Sequence, residues 1–250
     1  MEKRFERNIP TISEEEQKIL KASRVAIIGL GGLGGYLCEM AVRLGIEKFV
    51  VCDGDVFDET NLNRQLLSSE GNIGMLKSEA SKAWIESINP SAMVDIYCQP
   101  FNEKNAFEIL DGCDIVLDAL DNTKSRLLLE DECAKLNIPI VHGAIQGFTA
   151  QVGIALPGHN MLHKLYGCET CGNASDNGKT SAESSNKFST SNSSDKTAAL
   201  KSTLVCTPAF CASLQIAQAV TLLCKKEAPL TDKLLIANLD LANFNIIPIN

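Results

Sequence analysis

The feature that most constrains this chain is an apolar run that ends in glycines. Val25-Ala-Ile-Ile-Gly29 has the continuous hydrophobicity of a strand buried on both faces. Gly29-Leu-Gly31-Gly32-Leu-Gly34-Gly35 follows directly, and a helix is predicted over 33–44 with Gly45 as its C-terminal stop. The spacing is G-x-G-x-x-G. Glycines there permit a tight turn and let backbone N–H groups close on a phosphate at the helix N-terminus. The same rhythm continues downstream. Strands are predicted over 49–53, 94–98, 114–118 and 139–142, with helices over 77–88, 103–110 and 123–136. Alternation of this kind demands parallel pairing with right-handed crossovers. The predicted fold class is α/β, a doubly wound, mostly parallel Rossmann-like sheet.

Beyond Gly143 the pattern changes. Residues 149–156 alternate as an antiparallel strand does, and 234–239 with 244–249 resemble a closing hairpin, so an antiparallel C-terminal extension is expected. Between them, 172–202 is dominated by Ser, Asn, Thr, Lys and Gly. It offers too little apolar surface to offset its ordering entropy and reads as a mobile loop. Residues 204–224 are apolar but broken by Thr207, Pro208, Ser213, Gln215 and Gln218, which predicts a buried helix rather than a membrane span. Thr207 is its expected N-cap and Pro208 its first helical residue. The chain reads as one domain over 1–250: an N-terminal arm (1–22), a nucleotide-binding half (23–143) and a second half (144–250).

Charge narrows the partners. Lys+Arg total 23 against 31 Asp+Glu, a net charge of −8, which argues against nucleic acid or anionic membrane held by bulk charge. Ten cysteines are many, but the Met-Glu-Lys-Arg start carries no apolar signal segment. A cytoplasmic chain with reduced thiols or a metal site is expected, not a disulfide framework.

The glycine loop alone suits NAD, FAD or ATP. Asp53, at the end of the second strand, is placed to take ribose hydroxyls. Asn61-Leu-Asn-Arg64-Gln65 then puts a base and two amides in the following loop, and Lys77 opens the next helix. A dinucleotide's pyrophosphate has little use for two further cations, whereas a triphosphate does. Asp121 lies just past the fourth strand, where open α/β sheets bind ligands, and an acid there can hold the Mg²⁺ that ATP brings. The bland alternatives are solvated charges for Arg64 and Lys77, and a helix N-cap for Asp121.

With these residues in order, the chain resembles the adenylyltransferases that activate ubiquitin-like sulfur-carrier proteins, the MoeB, ThiF and HesA family. The resemblance runs from Arg4-Phe-Glu-Arg7 to the C-terminus. It is densest in the G-x-G-G-L-G loop, Asp53-x-Asp55, Asn61-x-x-Arg64-Gln65, Ile73-Gly74-x-x-Lys77, Asn89-Pro90 and Asp118-x-x-Asp121-Asn122. It implies an ATP site built from Gly29, Gly31, Gly32, Gly34, Asp53, Asp55, Thr60, Asn61, Leu62, Asn63, Arg64, Gln65, Lys77, Asp121 and Asn122. Gly32 and Asp53 would hold the adenosine side, and Thr60 to Arg64 with Lys77 the phosphates. Asp121 would lie at Mg²⁺ and the α-phosphate. Arg64, Lys77, Asp121 and Arg7 would be catalytic, with Arg7 reaching the ATP of the other subunit of a homodimer. The implied partner is a ThiS- or MoaD-like carrier, bound by the second half, whose C-terminal glycine carboxylate is adenylated.

The departures lie in that second half. The family usually carries two C-x-x-C pairs on one structural zinc, but here Cys168-x-x-Cys171 stands alone before the sequence ends at Asn250. His159 and His163 could complete an unusual site, yet the expectation is no structural zinc. The stretch where relatives keep a covalent-linking cysteine, about fifteen residues before Ser213-Leu-Gln215, holds none, and Cys206 is the nearest. Three rival readings remain: a tRNA threonylcarbamoyladenosine dehydratase of the same fold, a non-catalytic carrier-binding subunit, and an NAD dehydrogenase.

Overall fold

A computed structural model describes residues 2–167 and 202–249. Eight strands form one sheet in the order β3-β2-β1-β4-β5-β6-β7-β8. The members are β1 Arg24–Ile28, β2 Lys48–Cys52, β3 Met93–Tyr97, β4 Ile115–Asp118, β5 Ile140–Gln146, β6 Thr149–Ala155, β7 Lys233–Asn238 and β8 Asn243–Pro248. β1 to β5 pair in parallel, and β6 to β8 continue antiparallel. The mostly parallel sheet and its antiparallel extension are as the sequence predicts. From β1 the chain winds to β2 on one side, and β4 lies on the other, so the order reverses between β1 and β4. Ligands of such sheets bind at that crevice.

The helices are α1 Glu14–Ala22, α2 Gly32–Leu44, α3 Lys77–Ile88, α4 Ala106–Leu110, α5 Thr123–Leu136, α6 Met161–Tyr166 and α7 Cys206–Leu223. Strand alternation sorts the core into two layers. Val25, Ile27, Phe49, Val51 and Leu117 pack with α2, α3 and α7, while Ala26, Ile28, Val50 and Val116 pack with α4, α5 and α6. α7 is the one helix, among the described residues, long and apolar enough to cross a membrane. Its inner face instead lies on the sheet, with Cys211, Ala212, Gln215, Ile216 and Ala219 buried.

Several local expectations need correction. α7 begins at Cys206 with Val205 in the N-cap position, so Thr207 is not the cap. Its hydroxyl donates instead to the Gly147 carbonyl at 2.6 Å, tying α7 to the β5–β6 turn. α4 starts at Ala106 rather than 103, because Asn102 Oδ1 accepts from Lys104 N and Asn105 Oδ1 accepts from Asn102 N, which holds the preceding residues in turns. The N-terminal arm is docked on the fold. A 3₁₀ turn over Lys3–Asn8 buries Phe5, and α1 carries a Ser13–Glu16 capping box. Gln17 Nε2 donates to the Leu44 carbonyl at 2.7 Å, fastening the arm to the C-terminal end of α2. The predicted loop 172–202 lies, apart from Ser202, outside the described residues.

Candidate nucleotide site

Three loops at the carboxyl edge of the sheet converge on the turn after β1. Gly29 has φ +94, and a Cβ there would sit 2.6 Å from the Ala119 carbonyl oxygen, in the segment leaving β4. Only glycine allows so close a crossing. A Cβ on Gly34 would collide with the Gly29 carbonyl oxygen, which is the close helix–strand packing the motif requires. Gly31 is the N-cap of α2 and supplies no side-chain acceptor, so the first N–H groups of a 13-residue helix are left for another partner.

Asp53, from the β2 loop, fixes this turn. Its Oδ2 accepts from Leu30 N at 2.7 Å and its Oδ1 from Asp55 N at 2.8 Å. Burial pushes the carboxyl above its usual range, opposed by these two backbone donors. Asp53 thus shapes the loop first, and each oxygen keeps a lone pair able to accept from a further donor.

The same loop holds a cation in an unfavourable place. Lys77 is the first residue of α3, where a positive charge opposes the helix dipole, and the helix has no side-chain cap. The residue is only 6% exposed, and Nζ lies 3.0 Å from Asp55 Oδ2. Asp58 and Asn61 cap the short turn Glu59–Asn61 reciprocally. Arg64 Nη1 donates to the Thr60 carbonyl and to Asn63 Oδ1, both at 2.8 Å, while Asn63 Nδ2 donates to the Thr203 carbonyl at 3.2 Å. Buried Gln65 reaches toward Gly31, and its Oε1 has no partner among the described residues. An orphaned buried acceptor beside an uncapped helix start, with a buried ammonium on the next helix, fits a polyanion carrying hydrogen-bond donors. ATP has both features.

Asp121 follows β4 and is exposed. Asn122 caps α5, its Oδ1 accepting from Ser125 N at 2.9 Å, so the N-cap explanation of Asp121 does not hold. An exposed carboxylate at this crevice suits a hydrated Mg²⁺ carried by phosphates. Of the residues expected here, the structure brings together the glycines, Asp53, Asp55, the 60–65 loop and Lys77, with the Asp121 loop crossing Gly29. Arg7 is not among them. It is exposed beside Phe5, which packs at Gly45, and 13 residues of α2 at 1.5 Å each put that end about 20 Å from the glycine loop.

Cys168 and Cys171 lie outside the described residues. His159 Nδ1 pairs with Asp232 at 2.6 Å and His163 Nδ1 with Glu130 at 2.8 Å, and no cluster able to hold a metal occurs among the described residues. The eight described cysteines are free thiols. Burial pushes Cys38 and Cys211 up to about 12, which suits core thiols rather than nucleophiles.

Sequence reasoning missed a buried polar chain behind the site. Asp118 Oδ2 lies 2.7 Å from His142 Nδ1, and His142 Nε2 lies 2.9 Å from the Tyr166 hydroxyl. A carboxylate can only accept, so Nδ1 donates and Nε2 accepts from Tyr166. Arg126 Nε is 3.5 Å from Asp118 Oδ2, and its guanidinium stacks 5.5 Å from the Tyr166 ring centre. Gln215 Nε2 donates to the carbonyls of Asp118 and Val141, and a Cβ on Gly143 would collide with its amide.

Comparison with known proteins agrees with this geometry. Residues 5–250 match the ThiF family, and the chain belongs to it. It is 35% identical over 156 residues to the SAMP-activating enzyme E1 of Haloferax volcanii, covering 62% of this chain and 58% of that protein. The sulfur carrier protein adenylyltransferase of Thermus thermophilus is 34% identical over 164 residues, covering 65% and 60% respectively. The probable molybdopterin-synthase adenylyltransferase of Porphyra purpurea is 38% identical over 144 residues, covering 58% and 38%. The chain thus spans less than two thirds of these relatives. Among solved structures, E. coli MccB with AMPCPP and MccA superposes with a TM-score of 0.75 at 20% identity, covering 99% of this chain and 71% of that one, a likeness of fold.

Proposed function

We propose that this protein is an ATP-dependent adenylyltransferase acting on the C-terminal glycine carboxylate of a ubiquitin-like sulfur-carrier protein. The observation that carries the reading is Lys77, a buried ammonium set at an uncapped helix start beside the glycine loop. Nothing in the packing of α3 asks for a cation there; a triphosphate does. The names of the family members add the substrate class, since one is a sulfur carrier protein adenylyltransferase.

The chemistry needs no protein nucleophile. The carrier's carboxylate is already ionised; it forms a bond to the α-phosphorus while the bond to pyrophosphate breaks. The chain's contribution is alignment and charge stabilisation. The N–H groups at the start of α2 and the Gln65 amide line the nucleotide, with Asp53 on the ribose. Lys77 and Arg64 offset the charge gathering on the pyrophosphate. Asp121 would hold Mg²⁺, which neutralises phosphate charge when bound.

Two finer features belong to the same proposal. Arg7 serves the site of a second copy in a homodimer, because it lies far from the glycine loop of its own chain. The compartment is the cytoplasm, in keeping with thiols that are free at every described cysteine. The test is nucleotide preference. Mg²⁺–ATP raises the melting temperature and NAD does not; protection by NAD alone would overturn the reading.

A further inference from the structure

Leu120, the residue directly before Asp121, is held at both ends of its peptide unit. Its N–H donates to Asp118 Oδ1 at 2.9 Å, and its carbonyl accepts from Arg126 Nη2 at 2.5 Å. The same Nη2 lies 3.4 Å from the Gly143 carbonyl at the middle of β5, so one guanidinium nitrogen joins the β4 exit loop to the neighbouring strand. Arg126 belongs to α5, whose first turn starts just after Asp121, and it is 9% exposed. Asp118 is fixed in turn. His142 holds its free oxygen, Tyr166 holds His142, and Gln215 holds its backbone carbonyl.

Burying a guanidinium this deeply has a desolvation cost that a structural role could avoid with an apolar side chain. Among the described residues Arg126 Nε has no hydrogen-bond partner and only the longer 3.5 Å approach of Asp118 Oδ2. What the arginine does that an apolar residue cannot is pair with buried Asp118 and donate to the Gly143 and Leu120 carbonyls, and the shortest of these contacts, to Leu120, falls on the residue before Asp121. We infer that Arg126 is the positioning residue for Asp121: with Asp118 it clamps Leu120 and sets the direction from which the Asp121 carboxylate meets the metal–phosphate group. The inference rests on the proposed adenylation site. Arg126 itself touches neither nucleotide nor carrier in this account.

The experiment compares wild type, Arg126→Gln, Arg126→Lys and Asp121→Ala. Each is assayed for carrier-dependent ATP–pyrophosphate exchange and for the Mg²⁺ concentration that half-saturates thermal protection by a non-hydrolysable ATP analogue. Losing an outer-shell partner of a metal-binding carboxylate typically costs about 10-fold or more, so Arg126→Gln should raise the half-saturating Mg²⁺ by about that factor and lower kcat with it. Protection by the analogue at saturating Mg²⁺ should survive. Arg126→Lys keeps the charge beside Asp118 and one donor, so it should recover part of the loss. It also serves as the deciding variant should Arg126→Gln not fold. A lower melting temperature with unchanged Mg²⁺ dependence and kcat in these variants, while Asp121→Ala is inactive, would overturn the inference alone. A wild-type protein without exchange would overturn the adenylation reading, and the inference with it.

Discussion

Lys77 Nζ and Asp55 Oδ2 are 3.0 Å apart, yet the two side chains live in different surroundings: the lysine is 7% exposed and the aspartate 75%. Such a pair contributes little stability, because the exposed carboxylate is well solvated without its partner. Its effect is to aim the ammonium. Lys77→Met, which keeps the buried stem, should therefore leave the melting temperature nearly unchanged. It should lower the rate of carrier adenylation by about 100-fold, the usual loss when one preorganised charge is removed from a transition state. A melting fall with an intact rate would make Lys77 a packing residue.

The glycines separate folding from binding. A Cβ on Gly32 would meet Ile145 Cδ1 at 3.6 Å and Pro208 Cβ at 3.7 Å, ordinary contacts, whereas one on Gly34 meets the Gly29 backbone. Gly34→Ala should destabilise the domain by about 1–3 kcal/mol through overpacking. Gly32→Ala should melt like wild type and, on the proposed placing of Gly32 at the adenosine side of ATP, should lose affinity for ATP. Denaturant unfolding and nucleotide titration of both variants check this.

His142 makes stability depend on pH. Burial lowers its pKa below the ordinary 6.5, against the raising effect of Asp118. The folded state then binds fewer protons than the unfolded one, so stability rises with pH. The contribution is fully present above the unfolded pKa and is lost as pH falls below it, where the imidazole must charge among Asp118, Arg126 and Tyr166. His142→Gln should flatten the loss of stability between about pH 6.5 and 5 relative to wild type. Parallel slopes for the two proteins would contradict the sign.

Much of this was legible before the structure, for a physical reason. β1 and its glycines are contiguous, so a run of eleven residues, 25–35, carries both the buried strand and the glycine turn. Lys77 and Asp121 could be placed because each adjoins an element with its own periodicity. The chain Asp118–His142–Tyr166, with Arg126, had no such signal. Its members meet across β4, β5, α5 and α6, and nothing in local spacing links a histidine on one strand to a tyrosine ending a six-residue helix. Thr207 misled because a threonine before a proline is a good N-cap, but its hydroxyl found the Gly147 carbonyl in the β5–β6 turn, distant in sequence. Nothing in the local pattern marks where the arm docks, because Phe5 packs at Gly45, distant in sequence.

Composite sites are testable by complementation. If Arg7 completes the pocket of a second copy, Arg7→Ala should lower activity without unfolding the domain, since the side chain is exposed. Mixing Arg7→Ala with Asp121→Ala chains should regenerate one working site per heterodimer, because both defects then fall in one pocket. Fully active monomers in sedimentation would rule the arrangement out.

The most direct test of the central claim is ATP–pyrophosphate exchange with a small β-grasp protein ending in Gly-Gly. The account predicts exchange that needs the carrier's free C-terminal carboxylate and falls by about 100-fold or more in Asp121→Ala, at unchanged melting temperature. Exchange by Asp121→Ala at the wild-type rate, or the absence of carrier-dependent exchange in the wild-type protein, would contradict it.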